Sequence, residues 1–73
     1  MDRNPDEVRS IVEAILVTAE APVSPGRLLG VLKGLNGRDI RQAIDDLNDR
    51  YEHGGHAMTI REVAGGYQLA TRK

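Results

Sequence analysis

Few side chains in this 73-residue chain have types and spacings that suit chemistry. His53 and His56 stand two glycines apart, with Glu52 beside them. Two imidazoles so placed can share a metal ion. A structural zinc site takes about four ligands, however, and the sequence has no cysteine to complete the set. The pair reads as a polar loop after a helix. Asp45, Asp46 and Asp49 form a carboxylate cluster, but on a helix Asp45 and Asp49 share a face while Asp46 points elsewhere, which is the pattern of exposed helix charges. Ser10 and Ser24 lack a base to activate them, and Ser24 is better used as a helix cap. Gly65-Gly66 is not followed by a helix, so it marks a turn and not a phosphate cradle. With no nucleophile–base pair and no metal set, the sequence predicts a protein that is not an enzyme and has no cofactor.

The elements that carry these residues follow from caps and periodicity. Asn4, Pro5 and Glu7 form a helix start in the manner of a capping box. Val8, Ile11, Val12, Ile15, Leu16 and Ala19 then recur at helical steps, predicting a helix over 5–19 with Val17 on its opposite face. Pro22 stops it, and Ala21-Pro22-Val23 is short and extended. Ser24 and Pro25 repeat the start signal for a brief second helix bearing Leu28, Leu29, Val31 and Leu32. Gly26 and Gly30 each weaken that helix by roughly 1 kcal/mol relative to Ala, so packing must hold it. Gly34 is placed to end it. Asn36 and Asp39 open a third helix, over 37–52, whose stripe is Ile40, Ala43, Ile44, Leu47 and Tyr51. Gly54-Gly55 closes it. The period then falls to two. Met58 and Ile60 alternate with Thr59 and Arg61, and Tyr67, Leu69 and Thr71 alternate with Gln68 and Ala70. A β-hairpin of 57–63 with 66–71, turning at Gly65-Gly66, accounts for this.

Helix, extended piece, helix, helix and hairpin is the order of a winged helix-turn-helix, an α+β fold that is mainly α. Residues 1–73 are one domain, for which a chain this short has just enough material. The chain stops directly after the last strand, which nothing covers, so it reads as the front piece of a longer protein. There is no Trp and no Phe, so the core is expected to be aliphatic; the side chains expected in it are Val8, Ile15, Leu28, Leu32, Ile40, Ile44, Leu47, Ile60 and Leu69. The amino terminus has no basic start followed by an apolar stretch, and no apolar run approaches a membrane span, so a cytoplasmic protein without membrane contact is expected.

Such a fold invites a DNA-binding reading, as in a transcriptional regulator, but a fold is not a function. The formal net charge is −1. The third helix, the reader in the major groove, carries three arginines (Arg38, Arg41, Arg50) against five acids (Asp39, Asp45, Asp46, Asp49, Glu52) over 36–52. Acids near phosphates cost affinity. Arg61 is beside Glu62, leaving Arg72 and Lys73 as the only unopposed charge at the end of the wing. Direct sequence-specific DNA binding is not expected.

Two stretches carry a family resemblance. Ala14-Ile15-Leu16-Val17-Thr18-Ala19-Glu20-Ala21-Pro22-Val23-Ser24 resembles the opening of the segregation and condensation protein B (ScpB) family, with Ala21 intervening between Glu20 and Pro22. Ile60-Arg61-Glu62-Val63-Ala64-Gly65-Gly66-Tyr67-Gln68-Leu69-Ala70-Thr71-Arg72 looks like that family's wing, and is the more specific match. Members carry a second winged helix and a tail that these 73 residues lack. The resemblance implies a non-catalytic subunit of the bacterial SMC–kleisin condensin-like complex. Such a subunit acts in chromosome condensation and segregation by forming a homodimer and binding the kleisin ScpA. It contacts the SMC ATPase only indirectly and reaches the nucleoid through the complex.

The residues themselves offer surplus apolar groups for a partner surface. Val17 is off the first helical stripe, Leu29 is at the edge of the second, and Val63 faces away from Met58 and Ile60. With Tyr67, these are the expected protein-interface residues.

Overall fold

Asn4, Ser24 and Asn36 each open a helix, as their spacing predicts. The computed structural model describes residues 4–55 and 57–71. Helix α1 is Pro5–Thr18, α2 is Pro25–Val31 and α3 is Gly37–His53. Asn4 Oδ1 accepts the Asp6 N–H at 2.8 Å, and Ser24 Oγ accepts the Arg27 N–H at 3.1 Å. Asn36 and Asp39 form a reciprocal box: each side chain accepts the other's backbone N–H at 3.0 Å. These bonds satisfy donors that a helix start leaves orphaned. Helix α1 ends one residue earlier than expected. The Thr18 hydroxyl turns back to donate to the Ala14 and Ile15 carbonyls, each at 3.1 Å, and Pro22 follows.

The three helical stripes meet. Val8, Val12 and Leu16 from α1, Leu28 and Leu32 from α2, and Ile40, Ala43, Ile44 and Leu47 from α3 are all buried. Val23 and Ile60 join them. Two expectations need correction. The core is not purely aliphatic, because Tyr51 and Tyr67 are only 4% and 5% exposed. Both rings fill volume that a chain without Trp or Phe must otherwise leave to smaller side chains. Ile15 and Leu69 are half-buried and pack against the core from its margin.

Strands β1 (Met58–Val63) and β2 (Gly66–Thr71) pair antiparallel, with Ile60 opposite Leu69 and Val63 opposite Gly66. The turn is Ala64-Gly65, the two residues left between the expected strands 57–63 and 66–71, and Gly66 of the Gly65-Gly66 turn signal opens β2. Gly65 takes the left-handed φ of +78°, which glycine adopts without steric cost. Gly66 serves a different end. A Cβ there would sit 2.7 Å from the Val23 carbonyl oxygen, because Val23 pairs with Tyr67 through two backbone hydrogen bonds of 2.9 Å. Val23 thus adds a one-residue third strand along β2, after a bend at Glu20-Ala21.

The other side of the hairpin is held by Asn48 of α3. Its carboxamide donates to the Ile60 carbonyl at 3.0 Å and accepts the Ile60 N–H at 2.7 Å. The Thr59 hydroxyl donates to the same Oδ1 at 3.3 Å. Asn48 imitates a neighbouring strand at Ile60, so the wing is fixed to α3 by hydrogen bonds as well as by the Ile60 side chain.

Candidate functional site

The polar groups of the helices are largely spent inside the domain. Arg9 of α1, whose side chain is only 13% exposed, reaches across to Asp46 of α3 at 3.3 Å and also pairs with Asp6. Gln42 donates to the other oxygen of Asp46 at 2.9 Å. Arg50 approaches Asp6 at 3.4 Å. Tyr51 donates its phenol hydrogen to Glu13, joining the same two helices further along. Burial, with the bond to Glu13 and its charge, pushes the Tyr51 phenol well above its ordinary value. The carboxylate cluster of the sequence is therefore divided. Asp46 serves α1, whereas Asp49 pairs with His53 at 3.2 Å. The His53 imidazole also lies 2.8 Å from the Asp49 carbonyl, and that contact, with the Asp49 charge, raises its pKa. His56 lies outside the described residues. Among the described residues, no group of three His, Asp or Glu could hold a metal ion. Ser24 is occupied as a cap, and Ser10 is exposed on α1.

Among the described residues, the arginines of α3 and the wing are interleaved with acids. Arg41 pairs with Glu62 of the wing at 3.5 Å. On α3, the buried stripe faces α1 and the core, so Asp45 and Asp49 project on the outer face beside Arg38. An α3 presented to phosphates would bring both acids with it. Arg72 and Lys73 lie outside the described residues.

The four expected interface residues are scattered. Val17 is 59% exposed on the outer side of α1. Leu29 is half-buried against the core, and Val63 is half-buried near the hairpin turn. Tyr67 is a correction: it faces inward beside Ile60, because residues opposite Glu62 and Ile60 share their face of the sheet. The sequence reading missed Val31, which is 53% exposed. It stands one residue before the buried Leu32 and three after the buried Leu28, off the line joining them, and that offset was the available signal. Val31 opens onto a groove between α2 and the end of α1, lined also by Ile15, Thr18, Ala19 and Pro22. Val17 and Val31 are the large apolar side chains most at odds with their exposure among the described residues. Val31 opens onto the α1–α2 groove, whereas Val17 is not among the residues that line it.

The chain resembles known proteins over nearly its whole length. A family model described as "Segregation and condensation complex subunit ScpB" matches residues 10–73. A segregation and condensation protein B of Symbiobacterium thermophilum is 39% identical over 64 residues, covering 88% of this chain and 29% of the relative. One from Moorella thermoacetica is 36% identical over 67 residues, covering 92% and 34%. The chain thus spans about a third or less of the length of these curated relatives. In fold it is similar to a solved dimer of an ScpB N-terminal domain complexed with an ScpA peptide. The TM-score is 0.81 at 23% identity, over 93% of this chain and 84% of that one.

Proposed function

The chain belongs to the family of ScpB, the segregation and condensation complex subunit, and on that premise we propose that it is a non-catalytic docking module of a bacterial chromosome-condensation complex. It pairs with a second copy of itself and binds a segment of the kleisin ScpA. Through the kleisin it joins the SMC ATPase, working in the cytoplasm at the nucleoid. The dimer and the peptide in the structurally similar complex support both contacts.

The observation that carries the dimer reading is the exposure of two large apolar side chains, Val31 at the α1–α2 groove and Val17 on the outer side of α1, 53% and 59%. Large exposed apolar groups are a usual mark of a protein interface. Leu29 and Val63 are half-buried contributors at its margins, whereas Tyr67 belongs to the core. Charge points the same way, since the outward acids of α3 oppose docking on phosphates.

Light scattering on the 73-residue chain, from micromolar to millimolar, tests this. A dimer is expected, with Val17→Asp and Val31→Asp each weakening self-association at least tenfold while leaving the melting temperature of the monomer unchanged. The dimer is expected to respond little to salt. A monomer at every concentration, or dimerisation untouched by both substitutions, overturns this assignment of the interface. Steeply salt-dependent binding to duplex DNA would favour a regulator instead.

A further inference from the structure

Each edge of the small sheet is occupied at one residue, but β1 carries the charges of Arg61 and Glu62 and β2 carries none. Ile60 spends its backbone N–H and C=O on Asn48, away from β2. Tyr67 spends its own on Val23, away from β1. In an antiparallel pair the outward-facing residues alternate along each strand. Leu69 lies opposite Ile60 and two residues beyond Tyr67, so it too aims its N–H and C=O outward, and Thr71 repeats this at the strand end. Val23 covers only Tyr67. Ala21, which antiparallel register would set beside Leu69, lies in a bend before Pro22. Among the described residues, the outward groups of Leu69 and Thr71 have no hydrogen-bond partner.

Natural sheets blunt exposed edges with charges, prolines or bulges. Gly66-Tyr67-Gln68-Leu69-Ala70-Thr71 has no charged residue and no proline, and it pairs in unbroken register. The edge is therefore free to accept another strand, and Val23 shows how one sits on it. We propose that β2 binds an extended segment of the kleisin by strand addition at Leu69 and Thr71, end to end with Val23. This rests on the kleisin-binding reading above. The open edge is two outward residues long and bounded by the α1–α2 bend, so it offers up to about four backbone hydrogen bonds, enough for a short segment of single strand. Recognition through the backbone also suits a strand whose own side chains carry no charge.

Thr71→Pro tests the proposal. Thr71 is exposed and faces Met58 in a pair that exchanges no ladder hydrogen bond. Proline there removes the outward donor and blocks the incoming strand while sparing the hairpin. A synthetic peptide of the ScpA segment held in the related complex is the probe, titrated against the 73-residue chain by calorimetry. Affinity is expected to fall at least about tenfold in Thr71→Pro and to survive in Thr71→Val, with the dimer mass unchanged in both. In the wild-type chain, peptide binding is expected to slow amide exchange of Leu69 and Thr71 at least tenfold, a measurement that does not depend on the variant folding. Undiminished affinity in folded Thr71→Pro, or unchanged exchange at both amides in the bound wild type, overturns strand addition and leaves kleisin binding standing. A wild-type chain that does not bind the peptide at any concentration overturns the kleisin reading, and this proposal with it.

Discussion

Replacing Asn48 with alanine removes the group that holds the wing against α3. Three hydrogen bonds go: two, of 3.0 and 2.7 Å, end on the backbone of buried Ile60, and a longer one of 3.3 Å comes from the Thr59 hydroxyl. Each backbone bond contributes about 1 kcal/mol net, and an Ile60 N–H left without water adds a desolvation cost, so the loss is about 2 kcal/mol. For a domain this small, each kcal/mol lowers the melting temperature by about 4–8 °C, giving a fall of about 8–16 °C. Thermal unfolding followed by circular dichroism reads it directly. Thr59→Val is the internal control. It deletes only the longer 3.3 Å bond to the same Oδ1 and keeps the shape of the side chain, so it is expected to cost less than about 0.5 kcal/mol. An Asn48→Ala protein melting within about 2 °C of the wild type, or no more destabilised than Thr59→Val, refutes the view that the carboxamide acts as a strand.

Two glycines make opposite predictions in urea unfolding. Gly66→Ala drives a Cβ to 2.7 Å from the Val23 oxygen; it must break the Val23–Tyr67 pairing and is expected to cost about 2 kcal/mol or more. Gly30→Ala meets nothing within 4 Å inside α2 and is expected to stabilise by about 0.5–1 kcal/mol through helix propensity. Tyr51 predicts an alkaline limb. Its folded pKa is raised above the unfolded value of about 10, so the stability it contributes is present below pH 10 and lost as pH rises further. Melting temperatures from pH 8 to 12 are expected to fall more steeply in the wild type than in Tyr51→Phe, and parallel curves would contradict this. Arg9→Met, which removes the link to Asp46 but keeps the apolar stem, is expected to lower the urea midpoint by less than Asn48→Ala does, because Asp46 retains Gln42 and is open enough to be solvated.

The helices were legible because their signals are local. Asn4, Ser24 and Asn36 cap where they stand, and the stripe from Ile40 to Tyr51 fixes the inner face of α3 without reference to the rest of the chain. The hairpin was legible for the same reason, with each strand within one residue of where the alternation put it. What escaped was set by contacts distant in sequence. Gly66 looks like part of a turn until Val23 lies against it. Tyr67 looks like a surplus apolar group, since alternation gives two faces and does not say which one the helices cover. Asn48 is an unremarked polar residue on α3 until Ile60 comes alongside. Val31 was read only as one of the apolar residues of α2, because a seven-residue helix is too short for periodicity to separate inner from outer positions. The family, by contrast, was legible in the wing, from Ile60 to Arg72, before any geometry was known.

The Val23–Tyr67 bridge also bears on the order in which the chain assembles. Asn48 and Ile60 are 12 residues apart, so α3 and the hairpin can come together after closing a short loop. Val23 and Tyr67 are 44 residues apart (67 − 23), and their two hydrogen bonds return little against that closure entropy until the core has formed. The bridge therefore forms late, after the folding barrier. Substitutions at Gly66 then act mainly on how fast the domain comes apart, whereas substitutions at Asn48 slow its formation. The α1–α2 linker is the clasp of the domain, put on last and released first.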